Sequence, residues 1–243
     1  MNYVFERYET KYKLSSVQYE KVKSEIEQKM RPDEFGETTV CSLYYDTDNY
    51  RLIRRSIEKP EYKEKLRVRS YGFGKDKKVF LELKKKAFGI VYKRRIVLTH
   101  VQAFSFFEKN EKLPNGQISR EIEYFKNYYG NLKPAFLVMY DRTSLKGDDD
   151  LRITFDKNVR FRKERMNFWS GSDGLNLLND GEVLMEIKTC SAYPLWLVKI
   201  LNENKVYPSG FSKVGTAYIM TMSGKLDTAY DIKNNEKNLQ KAV

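Results

Sequence analysis

Apolar and polar residues alternate with a period of two through much of this chain, the signature of strands with one dry and one wet face. In "YVFERYETKYKL" (3–14), Arg7, Glu9, Lys11 and Lys13 share one face, and Tyr8, Thr10, Tyr12 and Leu14 share the other. Ser15 or Ser16 is placed to cap a helix over 16–30, which ends before Pro32. A β-rich run follows at 38–47, and Asp48 is expected to cap a short helix through Ile57, with Asp46 a turn or cap residue. Runs at 61–72, 77–87 and 89–99, separated by Gly72, Gly74 and Phe88-Gly89, read as an antiparallel meander. Helices are expected at 100–110 and 118–129, strands at 134–145, 151–162 and 182–190, and a helix at 194–204. Residues 210–222 suggest a turn and a final helix, and beyond about Leu226 the chain is polar. About eight strands, interrupted irregularly by about five helices, indicate an α+β fold.

The polar faces of these strands are unusually alike. Lys65, Arg67 and Arg69 oppose Leu66, Val68 and Ser70; Glu82, Lys84 and Lys86 oppose Val79, Leu81 and Leu83. Lys93 and Arg95 fall in register on the next strand, and Arg142 lies in line with Tyr140 and Ser144. Arg152, Thr154 and Asp156 share a face, as do Glu186 and Lys188. One such strand is an ordinary solvated sheet edge or face. Seven of them, rich in Arg and with Glu recurring two residues before Lys, suggest charged faces turned inward into a barrel whose apolar outside is covered by helices. Buried cations need compensation, by water or by a bound polyanion.

Composition narrows the chemistry. The formal net charge is +12, from 45 Lys+Arg against 33 Asp+Glu, which favours a polyanionic partner. A single histidine, His100, excludes a His-rich metal site, so any metal would be held by carboxylates and phosphate oxygens, as suits Mg²⁺ or Mn²⁺. Cys41 and Cys190 are far apart and give no disulfide framework. No signal-peptide pattern and no run of roughly 20 apolar residues is present, so a cytoplasmic protein is expected. The chain contains no GxxxxGK[ST], no GxSxG and no Cys/His pair. Catalysis would then rest on positioning and electrostatics. Sparse Gly and Pro argue for one domain over 1–226, with a polar tail at 227–243 expected to be disordered.

In order along the chain, "RYETKYKL", "YYDT", "KLRVRSYG", "FLELKKK", "YKRR", "YDRTSL", "LRITFD", "MEIKT" and "FSKVGTA" resemble the polyphosphate polymerase domain of the vacuolar transporter chaperone (VTC) family. That family lies within the CYTH-like triphosphate tunnel metalloenzymes. The resemblance spans about residues 3–222. It implies an eight-stranded antiparallel β-tunnel, a closed barrel with charged interior and helices outside. It also implies transfer of the γ-phosphate of ATP to a growing polyphosphate chain with Mn²⁺ or Mg²⁺. By motif, Arg67, Arg69, Lys84, Arg142 and Arg152 would carry catalysis. Lys11, Lys93, Lys188 and Lys213 would bind phosphate, and Glu186 would be the main metal ligand, with Glu9 and Glu82 secondary. ATP and polyphosphate or triphosphate are the implied partners, nucleic acid is not expected, and any membrane partner would be a separate chain. Two departures stand out. Arg7 occupies the first Glu position of the ExExK motif common in related hydrolases, which favours the polymerase-type site. "PSGFSK" lacks the second Lys that some family polymerases carry. The alternatives are a tripolyphosphatase or nucleoside triphosphatase in the same tunnel, or a polyanion-binding module without turnover.

Overall fold

The structure, a computed structural model, describes residues 8–88 and 90–224. Arg7 and the tail at 227–243 lie outside the described residues. Eight strands follow one another side by side, all antiparallel, in the order β1 (Tyr8–Leu14), β9 (Val183–Thr189), β7 (Arg152–Arg162), β6 (Lys133–Lys146), β2 (Arg31–Asp46), β3 (Tyr62–Tyr71), β4 (Val79–Ala87), β5 (Ile90–Leu98). A ninth, the two-residue β8 (Leu175–Asn176), pairs with β7. The sheet is strongly curved, because Glu9 of the first strand reaches Lys84 of the seventh at 3.3 Å.

The expected antiparallel sheet is present, but its closure into a barrel is not shown. Among the described residues, β1 and β5 form no hydrogen-bonded pair, so the curl ends in a seam crossed by side chains. The two facing edges carry Lys11 and Lys13 on one side and Lys93, Arg94 and Arg95 on the other. The chain at 208–209 covers part of the β1 edge, with Ser209 N–H donating to the Lys11 carbonyl at 2.7 Å and Tyr12 bridged to Pro208.

Six helices complete the fold: α1 (Ser16–Glu27), α2 (Arg51–Ile57), α3 (His100–Glu108), α4 (Gln117–Tyr129), α5 (Leu195–Glu203) and α6 (Lys213–Met222). Capping boxes start two of them, Ser15 with Gln18 on α1 and Thr99 with Gln102 on α3. The expected Asp48 cap of α2 is instead Asp46. Its carboxylate accepts from the backbone N–H of Leu52 (2.9 Å) and Ile53 (2.8 Å), while Tyr50 turns the chain at φ 56. None of the described helices is long and apolar enough to cross a membrane.

The convex face of the sheet is dry. Leu14, Ile153, Phe155 and Met185 pack under α1 and α5 with Val22, Ile26, Leu197 and Leu201. Leu66, Val68, Leu81 and Leu83 pack under α3 and α4 with Phe106, Ile122 and Phe125. The concave face is divided. Val40, Phe136, Val138, Val159 and Phe161 meet Ile53 of α2 and Val214 and Ala217 of α6 in a third cluster. Two helices therefore plug the inside of the curl, where the sequence suggested all helices outside and a wholly charged interior. A register shift between β6 and β7, with Asn158 at φ 49, marks the change. Asp156 on one side of it and Val159 on the other both face inward. A small barrel cannot be lined with charge all round, and apolar filling of part of it leaves one wet sector.

Candidate functional site

That wet sector is a cavity of about 570 Å³. Seven strands and two helices contribute to its wall, the polar groups among them including Lys11 (β1), Tyr44 (β2), Lys65, Arg67 and Arg69 (β3), Lys84 (β4), Tyr140 and Arg142 (β6), Glu186 and Lys188 (β9) and Lys213 (α6). Eleven Lys and Arg line it against two carboxylates, Glu9 and Glu186. Such an excess is a standing demand for bound anions.

The cations are aimed by carboxylates set behind or among them. Glu82, fully buried, accepts from Arg67 Nε at 2.8 Å and Nη2 at 2.7 Å, and from Arg95 Nε at 2.7 Å; Arg69 Nε lies at 3.9 Å. Asp156, also fully buried, holds Arg142 through two bonds of 2.6 and 2.8 Å and Lys213 Nζ at 2.6 Å. Arg69 also donates to the hydroxyls of Ser42 and Tyr140 at 3.2 Å each. Glu186 receives Lys188 Nζ at 2.7 Å and Lys11 at 4.0 Å; Glu9 receives Lys84 at 3.3 Å and Lys11 at 3.7 Å. Paired guanidinium–carboxylate forks fix direction as well as charge.

The electrostatics follow from this. Burial would raise the Glu82 carboxyl, yet the charges of Arg67, Arg69 and Arg95 hold it far below the usual range. Burial likewise opposes ionisation of Glu186, and Lys188 and Lys11 outweigh it. Lys84 is pushed down by burial despite Glu9. Lys65 is brought down to about 8, by burial first and by the neighbouring charges of Lys11, Lys84 and Lys63, against the pull of Tyr44. Lys213 is raised, because Asp156 overcomes the cost of burial.

Of the residues singled out in the sequence, the structure brings Arg67, Arg69, Lys84, Arg142, Lys11, Lys188, Lys213, Glu9 and Glu186 together on the cavity wall. Three fall elsewhere. Glu82 sits behind the wall, fully buried and held by the guanidinium groups of Arg67 and Arg95. Arg152 lies off the cavity, with its guanidinium on Asp33 at 2.5 Å. Lys93 is exposed at the seam, opposite Lys84 on the neighbouring strand. Missed were Asp156 as the hub of Arg142 and Lys213, and Tyr44 and Tyr140. Lys65 was legible from its period with Arg67, whereas "LYYD" puts tyrosines on both faces and hides which one turns inward.

Metal binding has a limited donor set. Among the described residues no group of three or more His, Cys, Asp and Glu could hold an ion. Glu9 and Glu186 face each other closely enough that each raises the cost of ionising the other, and two carboxylates completed by phosphate oxygens suit a hard divalent cation.

Comparison with known proteins agrees with this architecture. A candidate adenylate cyclase from Bacillus halodurans superposes with a TM-score of 0.56 at 14% identity, covering 84% of this chain and 92% of that one. A candidate adenylyl cyclase from Hippeastrum, with a dominant triphosphatase activity, gives 0.55 at 17% identity, covering 90% and 96%. At such identities the likeness is one of fold. No curated protein matches the chain. The VTC domain profile matches residues 6–222, most of the sequence, and the chain therefore belongs to the VTC domain family.

Proposed function

We propose that this protein is an ATP-dependent polyphosphate polymerase. The observation that carries the reading is the convergence of cations from opposite ends of the sheet on one cavity, in large excess over its carboxylates. A triphosphate or polyphosphate chain supplies the missing negative charge along a line, as a compact anion does not. Arg67 and Arg142, held by Glu82 and Asp156, and Arg69, held by the Ser42 and Tyr140 hydroxyls, orient phosphate oxygens, and Lys11, Lys84, Lys188 and Lys213 neutralise them. An oxygen of the chain's terminal phosphate attacks the γ-phosphorus of ATP. A new P–O bond forms, the bond from the γ-phosphorus to the β–γ bridging oxygen breaks, and ADP leaves. The attacking oxygen is already anionic and needs no base. Mn²⁺ or Mg²⁺, held by Glu186 and Glu9 together with phosphate oxygens, would neutralise charge as the bond breaks.

Hydrolysis in the same cavity is the second reading, favoured by the triphosphatase activity of the Hippeastrum protein of like fold. Against it, the two carboxylates that line the cavity are those that would hold the metal, leaving neither free to activate water. Purified protein incubated with ATP and each metal should make a ladder of phosphate polymers on a gel. ADP and free phosphate alone would replace the polymerase reading by the hydrolase one. Arg67→Ala should abolish turnover and triphosphate binding together, and unchanged activity would remove Arg67 from the site.

A further inference from the structure

Tyr44 lines the cavity but is buried, with 8% of its surface exposed. Its hydroxyl oxygen accepts from Arg67 Nη1 at 3.1 Å. A guanidinium donates and cannot accept, so the phenol's own hydrogen must look elsewhere. Among the described residues no acceptor is in reach of it. A buried hydroxyl whose donor is unused, opening onto an anion cavity, matches an oxygen of the ligand.

We propose that Tyr44 is a further phosphate-positioning residue, whose hydroxyl, oriented by Arg67, donates its hydrogen to an oxygen of the bound phosphate chain. The inference rests on the reading of this cavity as a phosphate site, and not on whether the outcome is polymer or hydrolysis.

The surroundings add a proton to the event. On β3, Lys65, Arg67 and Arg69 face the phenol; on β6 its register partner is Phe136; α2 and α6 present Ile53 and Val214 from the same apolar cluster. No carboxylate hydrogen-bonds it, the nearest carboxylate in the network being Glu82 on the far side of Arg67. Burial pushes the phenol up, but the three cations overcome it and bring it down to about 7. Above that pH the empty cavity holds a phenolate. An incoming chain neutralises the same cations, so the phenolate takes one proton from solvent and becomes the O–H donor.

Two measurements on the full chain test this. Absorbance at 295 nm, followed through pH 6–9, should show one tyrosinate appearing near neutrality. Tripolyphosphate should suppress it, and Tyr44→Phe should remove it. Calorimetric titration with tripolyphosphate at pH 8, in buffers of different ionisation heat, should show a proton uptake that Tyr44→Phe lacks. The comparison of the two proteins cancels protonation of the ligand itself. The variant should also bind roughly tenfold more weakly, as expected for loss of a hydrogen bond to a charged group. The absorbance experiment on the unaltered protein stands even if the variant folds poorly. Tripolyphosphate binding with equal affinity and equal proton uptake in both proteins would overturn the role of Tyr44 alone. No binding to either protein would overturn it together with the phosphate-site reading.

Discussion

Replacing Glu82 by Gln tests whether this carboxylate is a structural counter-ion or a metal ligand. Its two oxygens meet Arg67 and Arg95 at 2.7–2.8 Å, and a third guanidinium is near. Glutamine keeps the shape but offers one acceptor oxygen and turns an NH₂ towards a cation. Breaking a buried ion pair from one side costs about 3–5 kcal/mol. The lower end applies here, since Arg95 is 30% exposed and solvent recovers part of its loss. At about 2–4 °C per kcal/mol for a chain of this size, Tm should fall by roughly 6–12 °C. Thermal unfolding by calorimetry reads this directly. Tripolyphosphate should raise Tm more in the variant than in the unaltered protein, because its oxygens replace the lost anion beside Arg67 and Arg69. The pH dependence has a definite sign. The folded pKa of Glu82 is depressed, so its stabilisation is complete above the ordinary carboxylate range and lost as pH falls through the folded value. The two stability curves should converge in acid. An unchanged Tm combined with a raised requirement for Mn²⁺ would refute the counter-ion argument and restore Glu82 as a ligand.

Glu186→Gln should instead raise the concentration of Mn²⁺ or Mg²⁺ needed for half-maximal turnover by at least roughly tenfold, the lower end seen for changes around metal ligands. A metal titration that superposes on the unaltered protein's would exclude it as a ligand. Lys65→Met should remove a limb near pH 8 from the pH profile of tripolyphosphate affinity. The unaltered protein weakens as pH rises through that value, where Lys65 loses its charge; identical profiles would show that Lys65 does not bind. Asp46→Ala should cost about 1–2 kcal/mol by uncapping α2, read as a lowered denaturant midpoint, and a midpoint within error of the original would mean that Tyr50 alone starts the helix.

How far the sequence revealed this depended on which property was local. Period two placed Arg67, Arg69, Lys84, Lys11, Glu186 and Lys188 on shared faces, because side-chain alternation needs only the neighbours two residues away. The same rule could not say where along the barrel a face ends. Lys93 and Arg152 obey it and miss the cavity, one at the seam and the other captured by Asp33, a partner 119 residues away. The surroundings of Glu82 were hidden because its three guanidinium groups come together only across the β3–β4–β5 register. The inward helices were hidden for a related reason. An amphipathic segment such as 213–222 shows that it has a dry side, and nothing in its own pattern says whether that side meets the convex or the concave surface. Closure of the barrel is a property of two edges far apart in sequence, and neither strand's own pattern says whether they meet.

Lys213 is the first residue of α6, and the very next residue, Val214, is sealed in the apolar cluster. A ligand that pulls on the ammonium group therefore pulls on a helix whose seat is part of the hydrophobic interior. Amide hydrogen exchange along 213–222 should slow when tripolyphosphate is bound. Filling the pocket and tightening the chain's last described helix would then be a single equilibrium, so occupancy should be readable from the rigidity of the segment that carries Lys213.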